Sequence, residues 1–584
     1  MFDSCLDSDL FIVMTSRVRH TSWVFVSVML LAGCDRIWPS ATKPKASESL
    51  PDAAQPASAT ARAGLPPTPV ATASAPSADA GIEVATPPHP GPWLTVLVPS
   101  VAVYAEPKTE KEAKLGYAQS GARLAVTGKP EPGEHCPSGW NKLVDGGFIC
   151  SGFGTLDDKD PRARFTLHSP NLEGLLPYTY ARNAKNGTPL YRSVPSRDQM
   201  RRYEPYLAAE SQSASKEGRD RKFSAATNDY AAPAAPSASS INPAPNASSP
   251  NPSASTVAPM PSASTAPTTN DDDENTPWWQ KQNAEDKLHE MKLSDLRSDS
   301  DDILAQRMVK GFYVAVDRAF RWNGRTWYKT TKQMVVPADR FGVAGPSDFK
   351  GVELGSDWQL PLAWVYGGLE SAPVYELDRE KKTARAVGKL KHFEPISLTD
   401  ATLELKGVMY LGLTDGKWVK RAQVRLTKPG SPPEGLKPNE RWIDINLSQQ
   451  TLVAFDGDRP VYATLLSSGK TSKIEEKDHS TPVGAWRIRE KHITTTMDGD
   501  GTAAGDLPYS IEDVPFVMYF YRSYAVHGAF WHRNYGVQMS HGCVNLSPLD
   551  AKRLFFFTEP QLPTGWHGVW SSNMHPGSWV VIHE

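Results

Sequence analysis

The sequence predicts a mainly β protein, built of several small folded pieces held apart by unpacked connections. Three observations carry that expectation. Segments rich in aromatic and β-branched residues run as short strands broken by turn residues. Two long stretches contain almost no large apolar side chains. The last 145 residues alternate apolar and polar positions through strand-length runs and end in a dense group of His, Gly and Cys.

Composition sets the outer bounds. At 584 residues the chain has room for about four domains. Its 50 prolines and 42 glycines exceed the roughly 12% of average usage, so part of that length is not packed. With 63 basic against 65 acidic residues, a strongly basic nucleic-acid surface is not indicated. No uncharged run of apolar residues reaches the roughly 18 of a membrane-spanning helix. The five cysteines are Cys5, Cys34, Cys136, Cys150 and Cys543. An odd and small number excludes a disulfide-stapled scaffold and makes each cysteine a separate question.

Residues 1–33 read as a signal segment. Arg17, Arg19 and His20 precede an uncharged run whose apolar part, Trp23 to Ala32, is too short to span a bilayer. It ends in Leu31-Ala32-Gly33-Cys34, which resembles a bacterial lipoprotein signal with its lipobox. The resemblance implies lipidation of Cys34, a membrane anchor and a place on the periplasmic side of a cell envelope. The alternative is an ordinary secretory signal cut nearby. Asp3, Asp7 and Asp9 are unusual before such a signal, so Met14 is a candidate start, and Cys5 would then be absent. Asp35 hints at inner-membrane retention, again by resemblance alone.

Residues 34–92 read as a disordered tether: within 41–90, thirty-four of fifty residues are Ala, Pro, Ser or Thr. Residues 211–278 form a second such linker, where 231–270 holds thirty-seven Ala, Pro, Ser, Thr or Asn in forty. Neither stretch can bury enough apolar surface to offset its chain entropy. A polar, partly helical approach is expected over 281–308.

Between and beyond these linkers a pattern recurs. Val101-Ala102-Val103-Tyr104, Thr188-Pro189-Leu190-Tyr191 and Ala372-Pro373-Val374-Tyr375 are each followed, at a distance, by a Trp-bearing hairpin at Trp140, Trp327 or Trp418. This resembles bacterial SH3-like modules. It implies modules at 93–156 and 362–430, and a split module whose parts are 157–210 and 279–361. The plainer alternative is that Trp and Tyr mark half-buried strands, which they favour in any case. Cys136 and Cys150 lie in the first module, and the lipoprotein resemblance puts them in an oxidising compartment. There a bridge closing a loop near 15 residues would contribute about 3 kcal/mol.

The chemistry concentrates near the C-terminus. His527-Gly528-Ala529-Phe530-Trp531-His532 precedes Ser540-His541-Gly542-Cys543-Val544-Asn545 by a polar loop. A cysteine nucleophile needs a base, and the base needs a third group to hold its tautomer. His527, His532 and His541 all lie within sixteen residues of Cys543. A Gly-Cys turn also presents backbone N–H groups that suit an oxyanion. The alternative, an inert buried cysteine, fits poorly with so many neighbouring His and Gly residues.

On these residues the segment 440–584 resembles the YkuD-type L,D-transpeptidases, whose signature is His-Gly, a variable loop, then Ser-His-Gly-Cys-hydrophobic-Asn or Arg. Twelve residues separate His527 from Ser540, a short loop for that family. Ile443 to Asn446, Thr451 to Phe455, Leu466 to Gly469, Thr481 to Gly484 and Pro515 to Phe520 extend the likeness upstream. It implies a β-sandwich catalytic domain that needs no cofactor or metal and acts as a monomer on peptidoglycan stem peptides. Cys543 would be the nucleophile and His527 the base, oriented by the Gly528 carbonyl. His541, Gly542 and Cys543 would bind the developing oxyanion, Ser540 and Asn545 would support the loop, and Trp531 and Tyr519 join the substrate-binding set. Cys543 would attack the carbonyl between meso-diaminopimelate and the terminal D-Ala of a tetrapeptide stem. The acyl acceptor stays open between a diaminopimelate amine, a protein lysine and water. A peptidoglycan-binding lipoprotein with a degenerate catalytic domain is the rival. His532 reads as an exposed loop residue. Asp498, Asp500 and Asp506 read as part of a solvated, lid-like loop rather than a calcium site, because the EF-hand spacing is incomplete.

Overall fold

The computed structural model describes residues 91–207, 278–280, 288–366, 369–475, 478–500 and 507–584. The signal segment, Cys34, Asp506 and almost all of the tether and of the second linker lie outside the described residues. Those described belong to one unit, Val84–Glu584, and they are mainly β, as expected.

The first module holds β1 (Trp93–Val96), β2 (Ser100–Tyr104), β3 (Lys114–Gln119), β4 (Arg123–Glu131), β5 (Trp140–Leu143), β6 (Phe148–Cys150) and β7 (Gly154–Thr155). All its pairings are antiparallel, β1 with β4 and β7, β2 with β3 and β6, and β5 with β4 and β6. Cys136 and Cys150 form a disulfide beside Trp140.

The second module joins chain segments on either side of the linker. Before it come β8 (Thr179–Asn183), β9 (Thr188–Tyr191) and α1 (Arg197–Tyr203), the last opened by a Ser196–Gln199 capping box. After it come β10 (Leu304–Met308), β11 (Tyr313–Trp322), β12 (Arg325–Thr330), β13 (Val335–Pro337) and β14 (Phe341–Val343). β9 pairs with β10, and β8 pairs with β11 and β14. Leu304 to Met308, inside the stretch expected to be partly helical, is therefore a strand: the open edge of β9 takes its backbone groups, and Leu304, Arg307 and Met308 are buried.

A short strand, β15 (Val352–Glu353), leads to the third module. This comprises β16 (Leu362–Val365), β17 (Ser371–Asp378), β18 (Thr383–Lys391), β19 (Pro395–Leu405), β20 (Val408–Leu413), β21 (Trp418–Lys420) and β22 (Val424–Leu426). The recurring Tyr and Trp meet one another. Tyr104 packs edge-on against Trp140, Tyr191 against Trp327, and Tyr375 stands opposite Trp418 across β17 and β21.

The C-terminal segment stacks two sheets. One contains β15, β25 (Arg459–Leu465), β24 (Thr451–Asp456), β23 (Arg441–Asn446), β32 (Trp579–His583) and β26 (Gly484–Arg487) in that order. The other contains β31 (Gly568–Trp570), β27 (Glu490–Gly499), β28 (Tyr509–Tyr521), β29 (Tyr524–Gly528) and β30 (Val544–Leu546), paired in that order. Apolar residues such as Ile443, Leu452, Met518, Phe520 and Val526 fill the space between them. Helix α2 (Pro548–Phe557) starts at a Ser547 N-cap with proline in its first turn and buries Leu554 and Phe555 in the same core. Its buried Asp550 accepts from Tyr462 Oη, Thr464 Oγ1 and Gly351 N, which ties helix and sheet together.

The modules share cores with this segment. Trp566 and Val569 complete the apolar cluster of the first module, and β3 pairs with β31. Tyr180 and Tyr313 of the second module pack on Phe530, Val514 and Val517.

Candidate active site

β29 and β30 run parallel with Val526 opposite Val544 and His527 opposite Asn545. Successive side chains alternate faces, so His527 and Asn545 share one face with Ala525 and with Cys543, which immediately precedes β30. That is the outer face of the sheet, turned from the core between the sheets. The Ala525 N–H points at the Cys543 thiol, and Ser523 O lies 3.8 Å from Sγ.

The carbonyl of Gly528 lies 3.2 Å from His527 Nδ1. A carbonyl only accepts, so Nδ1 carries the proton and Nε2 is left as the basic atom. His527 is buried, and burial lowers its pKa to about 4 against the pull of the Gly528 bond. Burial likewise pushes the Cys543 thiol up to about 11, opposed by the Ala525 N–H. At neutral pH the pair is therefore a thiol and a neutral imidazole, an arrangement that calls for general-base removal of the thiol proton during attack.

The loop before Cys543 is held from several sides. Ser540 Oγ donates to Cys543 O and accepts from Gly542 N at 3.2 Å. Thr481 Oγ1 donates to Gly542 O at 2.8 Å and accepts from Gly469 N at 2.9 Å. Gly542 has φ +118°, and a Cβ there would sit 2.5 Å from the Tyr524 ring, so both backbone and space require glycine. The Gly542 N–H, one of the groups expected to meet an oxyanion, donates to Ser540 Oγ here. His541 stacks on Tyr509 at 5.4 Å and lies beside His479.

His532 departs from its expected exposed setting. Its Nδ1 accepts from Asn534 N at 3.3 Å, which leaves the proton on Nε2, and Nε2 lies 3.0 Å from the Asn545 side-chain amide. Asn545 Nδ2 is the atom at that distance and its Oδ1 has no partner, so an amide turned end for end would accept from Nε2–H. Burial lowers its pKa to about 4. The cause is tertiary: Asn545 lies on the outer face of β30, and the loop after β29 folds back over it. Trp531 stands with its ring centre 5.8 Å from that of His527. Tyr519 lies opposite Ala525 on β28. Sequence reasoning passed over Thr481, Tyr509, Tyr524 and the Ala525 N–H. Only the quoted Thr481-Pro482-Val483-Gly484 turn pointed toward one of them. Asp500 accepts from Leu293 N at 2.7 Å.

The C-terminal segment has relatives among known proteins. Residues 440–582 match the YkuD family, the L,D-transpeptidase catalytic domain, and carry such a domain. YciB of Bacillus subtilis (strain 168), whose name assigns it provisionally as an L,D-transpeptidase, is 24% identical over 160 residues, 24% of this chain and 74% of YciB. A crystal structure of an Enterococcus faecium L,D-transpeptidase variant is similar at 21% identity, with 25% of this chain and 50% of that one covered and a TM-score of 0.19. The enzyme from Xylanimonas cellulosilytica DSM 15894 is similar at 21% identity, with coverage of 26% and 65% and a TM-score of 0.18. The chain thus spans about half of the first of these solved structures.

Proposed function

We propose that this chain is a peptidoglycan L,D-transpeptidase with Cys543 as nucleophile and His527 as general base. The observation that carries the reading is the parallel pairing of β29 and β30, which sets thiol and imidazole on one face with Nδ1 tied to Gly528. His527 Nε2 takes the thiol proton as sulfur attacks the carbonyl between diaminopimelate and the terminal D-Ala. The same proton passes to the nitrogen of D-Ala as the peptide bond breaks, leaving a thioester on Cys543. An acceptor amine then attacks the thioester and gives up a proton to His527, and the thiol is restored. Cys543 N–H and its neighbours in the loop meet the developing oxyanion. The chain acts on the periplasmic face of a cell envelope, anchored by lipid on Cys34, with SH3-like modules between anchor and catalytic domain. The Leu31-Ala32-Gly33-Cys34 motif supports the anchor.

Incubation of the whole chain with disaccharide-tetrapeptide, followed by mass spectrometry, tests the reading. D-Ala release and an acyl adduct on Cys543 are expected. Cys543→Ala should show neither, and His527→Ala should be slower by about a hundredfold or more. Release of D-Ala by Cys543→Ala would overturn the mechanism. Membrane fractionation tests the anchor, and loss of membrane association in Cys34→Ala is the expected result.

A further inference from the structure

The outer face of the catalytic sheet carries a continuous row of side chains that begins at the nucleophile. Cys543 faces Ala525, Ala525 pairs with Tyr519, Tyr519 with Glu490, and Glu490 with Trp570. Residues directly opposite on neighbouring strands share a face. At about 4.8 Å per strand, Tyr519 stands about 10 Å and Glu490 about 14 Å from the Cys543 backbone. The first module closes the row. Lys114 of β3 sits with its ammonium 4.7 Å over the Trp570 ring. In the neighbouring row Val517 and His492 are buried, and the half-buried Tyr117 closes over them with Oη 3.1 Å from His492 Nδ1. Tyr519, Glu490 and Trp570 are only half-buried. The result is a strip walled on one side and open on the other.

Its charges are arranged as a pair. Glu490 keeps its carboxylate in spite of burial, because His492, Arg489 and Trp570 hold its pKa below the ordinary value. Arg489 Nη2 lies 3.6 Å from the Glu490 carboxylate, and the Lys114 ammonium stands over Trp570, the residue paired with Glu490. Tyr519 stands between nucleophile and carboxylate in the row, and burial raises its hydroxyl. A carboxylate with two cations near it, reached from the thiol past a tyrosine hydroxyl, matches the ammonium and carboxylate of an α-amino acid. The residue whose carbonyl meets Cys543 in the proposed reaction has a long side chain with that ending.

We infer that Glu490, with Lys114 from the first β module, forms a subsite for the zwitterionic end of the donor residue's side chain. The inference rests on the transpeptidase reading and adds to it a specificity element shared between two modules. Glu490 takes the ammonium, Lys114 and Arg489 take the carboxylate, and Ala525 keeps the path from the thiol open.

The test compares D-Ala release by the whole chain from two donor tetrapeptides, one with diaminopimelate and one with its side-chain amine acetylated. The parent chain should favour the free amine, and Glu490→Gln should reduce that ratio of kcat/KM by about tenfold. Lys114→Gln should reduce, by a few-fold, the preference for a free over an amidated side-chain carboxylate. A Glu490→Gln variant that keeps the parent ratio, or slows both donors equally, overturns the subsite while the mechanism stands. Release from neither donor by the parent chain overturns the catalytic reading, and the subsite with it.

Discussion

A thiol held up near 11 and an imidazole held down near 4 leave Cys543 and His527 both neutral over the physiological range. Alkylation of Cys543 by iodoacetamide should therefore be slow at pH 7 to 8 and climb toward pH 11. A midpoint below pH 8 would show a thiolate stabilised in the resting state. The imidazole side fixes the acid limit. As pH falls through about 4, Nε2 is protonated and D-Ala release should fall with it. The same shift has a stability counterpart. His527, His532 and His567 all have folded values below the ordinary 6.5, at about 4, about 4 and about 3. The unfolded chain binds those protons first, so stability is present above pH 6.5 and is lost as pH falls toward 4. Thermal melts across that window should show a falling Tm. His527 and Cys543 were legible from residue types and spacing. The half-buried state of His532 was not, because it depends on Asn545, thirteen residues further along the chain.

At the scale of the element, the loop from Ser540 to Cys543 is set by one backbone value and one lock. Gly542→Ala forces a side chain into φ +118° and against Tyr524, and should cost about 1–3 kcal/mol by urea unfolding. The displaced Cys543 should also lower D-Ala release at temperatures where the fold persists. Unchanged release would mean that the loop shifts without moving the thiol. The Tyr and Trp pattern across the three modules was readable because strand aromatics recur at similar intervals, and the structure turns two of those recurrences into direct ring contacts. The strand at Leu304 to Met308 was not readable: its partner β9 lies more than a hundred residues earlier, and local polarity masks that pairing.

Across the whole molecule the catalytic sheet is packed against modules that precede it. Trp566 and Val569 lie in the core of the first module, and Phe530 stacks on Tyr180 of the second at 4.0 Å. Residues 440–584 expressed alone should therefore expose these aromatics and melt at a lower temperature than the whole chain. An equal Tm would show that the shared cores add nothing to the stability of the catalytic unit. The seam with the second module also holds a buried carboxyl. Glu512 accepts from Ala315 N at 3.1 Å. Burial raises its pKa to about 8, opposed by Lys332 and reinforced by Asp513. With a folded value above the unfolded one, its contribution is complete below about pH 4.5 and is lost as pH rises toward 8. Glu512→Gln should therefore raise Tm relative to the parent by an amount that grows across that interval. A pH-independent difference would count against a proton held at this seam.

The sequence alone singled out the residues of the proposed chemistry and much of the texture. Residue types that ionise, attack or turn are local properties, and His527, Gly528, Ser540, Gly542 and Cys543 sit close enough in the chain for their spacing to speak. Strand alternation and aromatic recurrence, equally local, pointed to a mainly β fold in several modules. Tertiary structure decided what depends on pairing between distant segments. Parallel strands set His527 and Cys543 on one face, the face of β30 half-buried His532 on Asn545, and Thr481 reached the loop from a separate turn. The row from Cys543 through Tyr519 and Glu490 to Lys114 spans more than four hundred residues of chain, and strand register, which no local pattern encodes, assembles it.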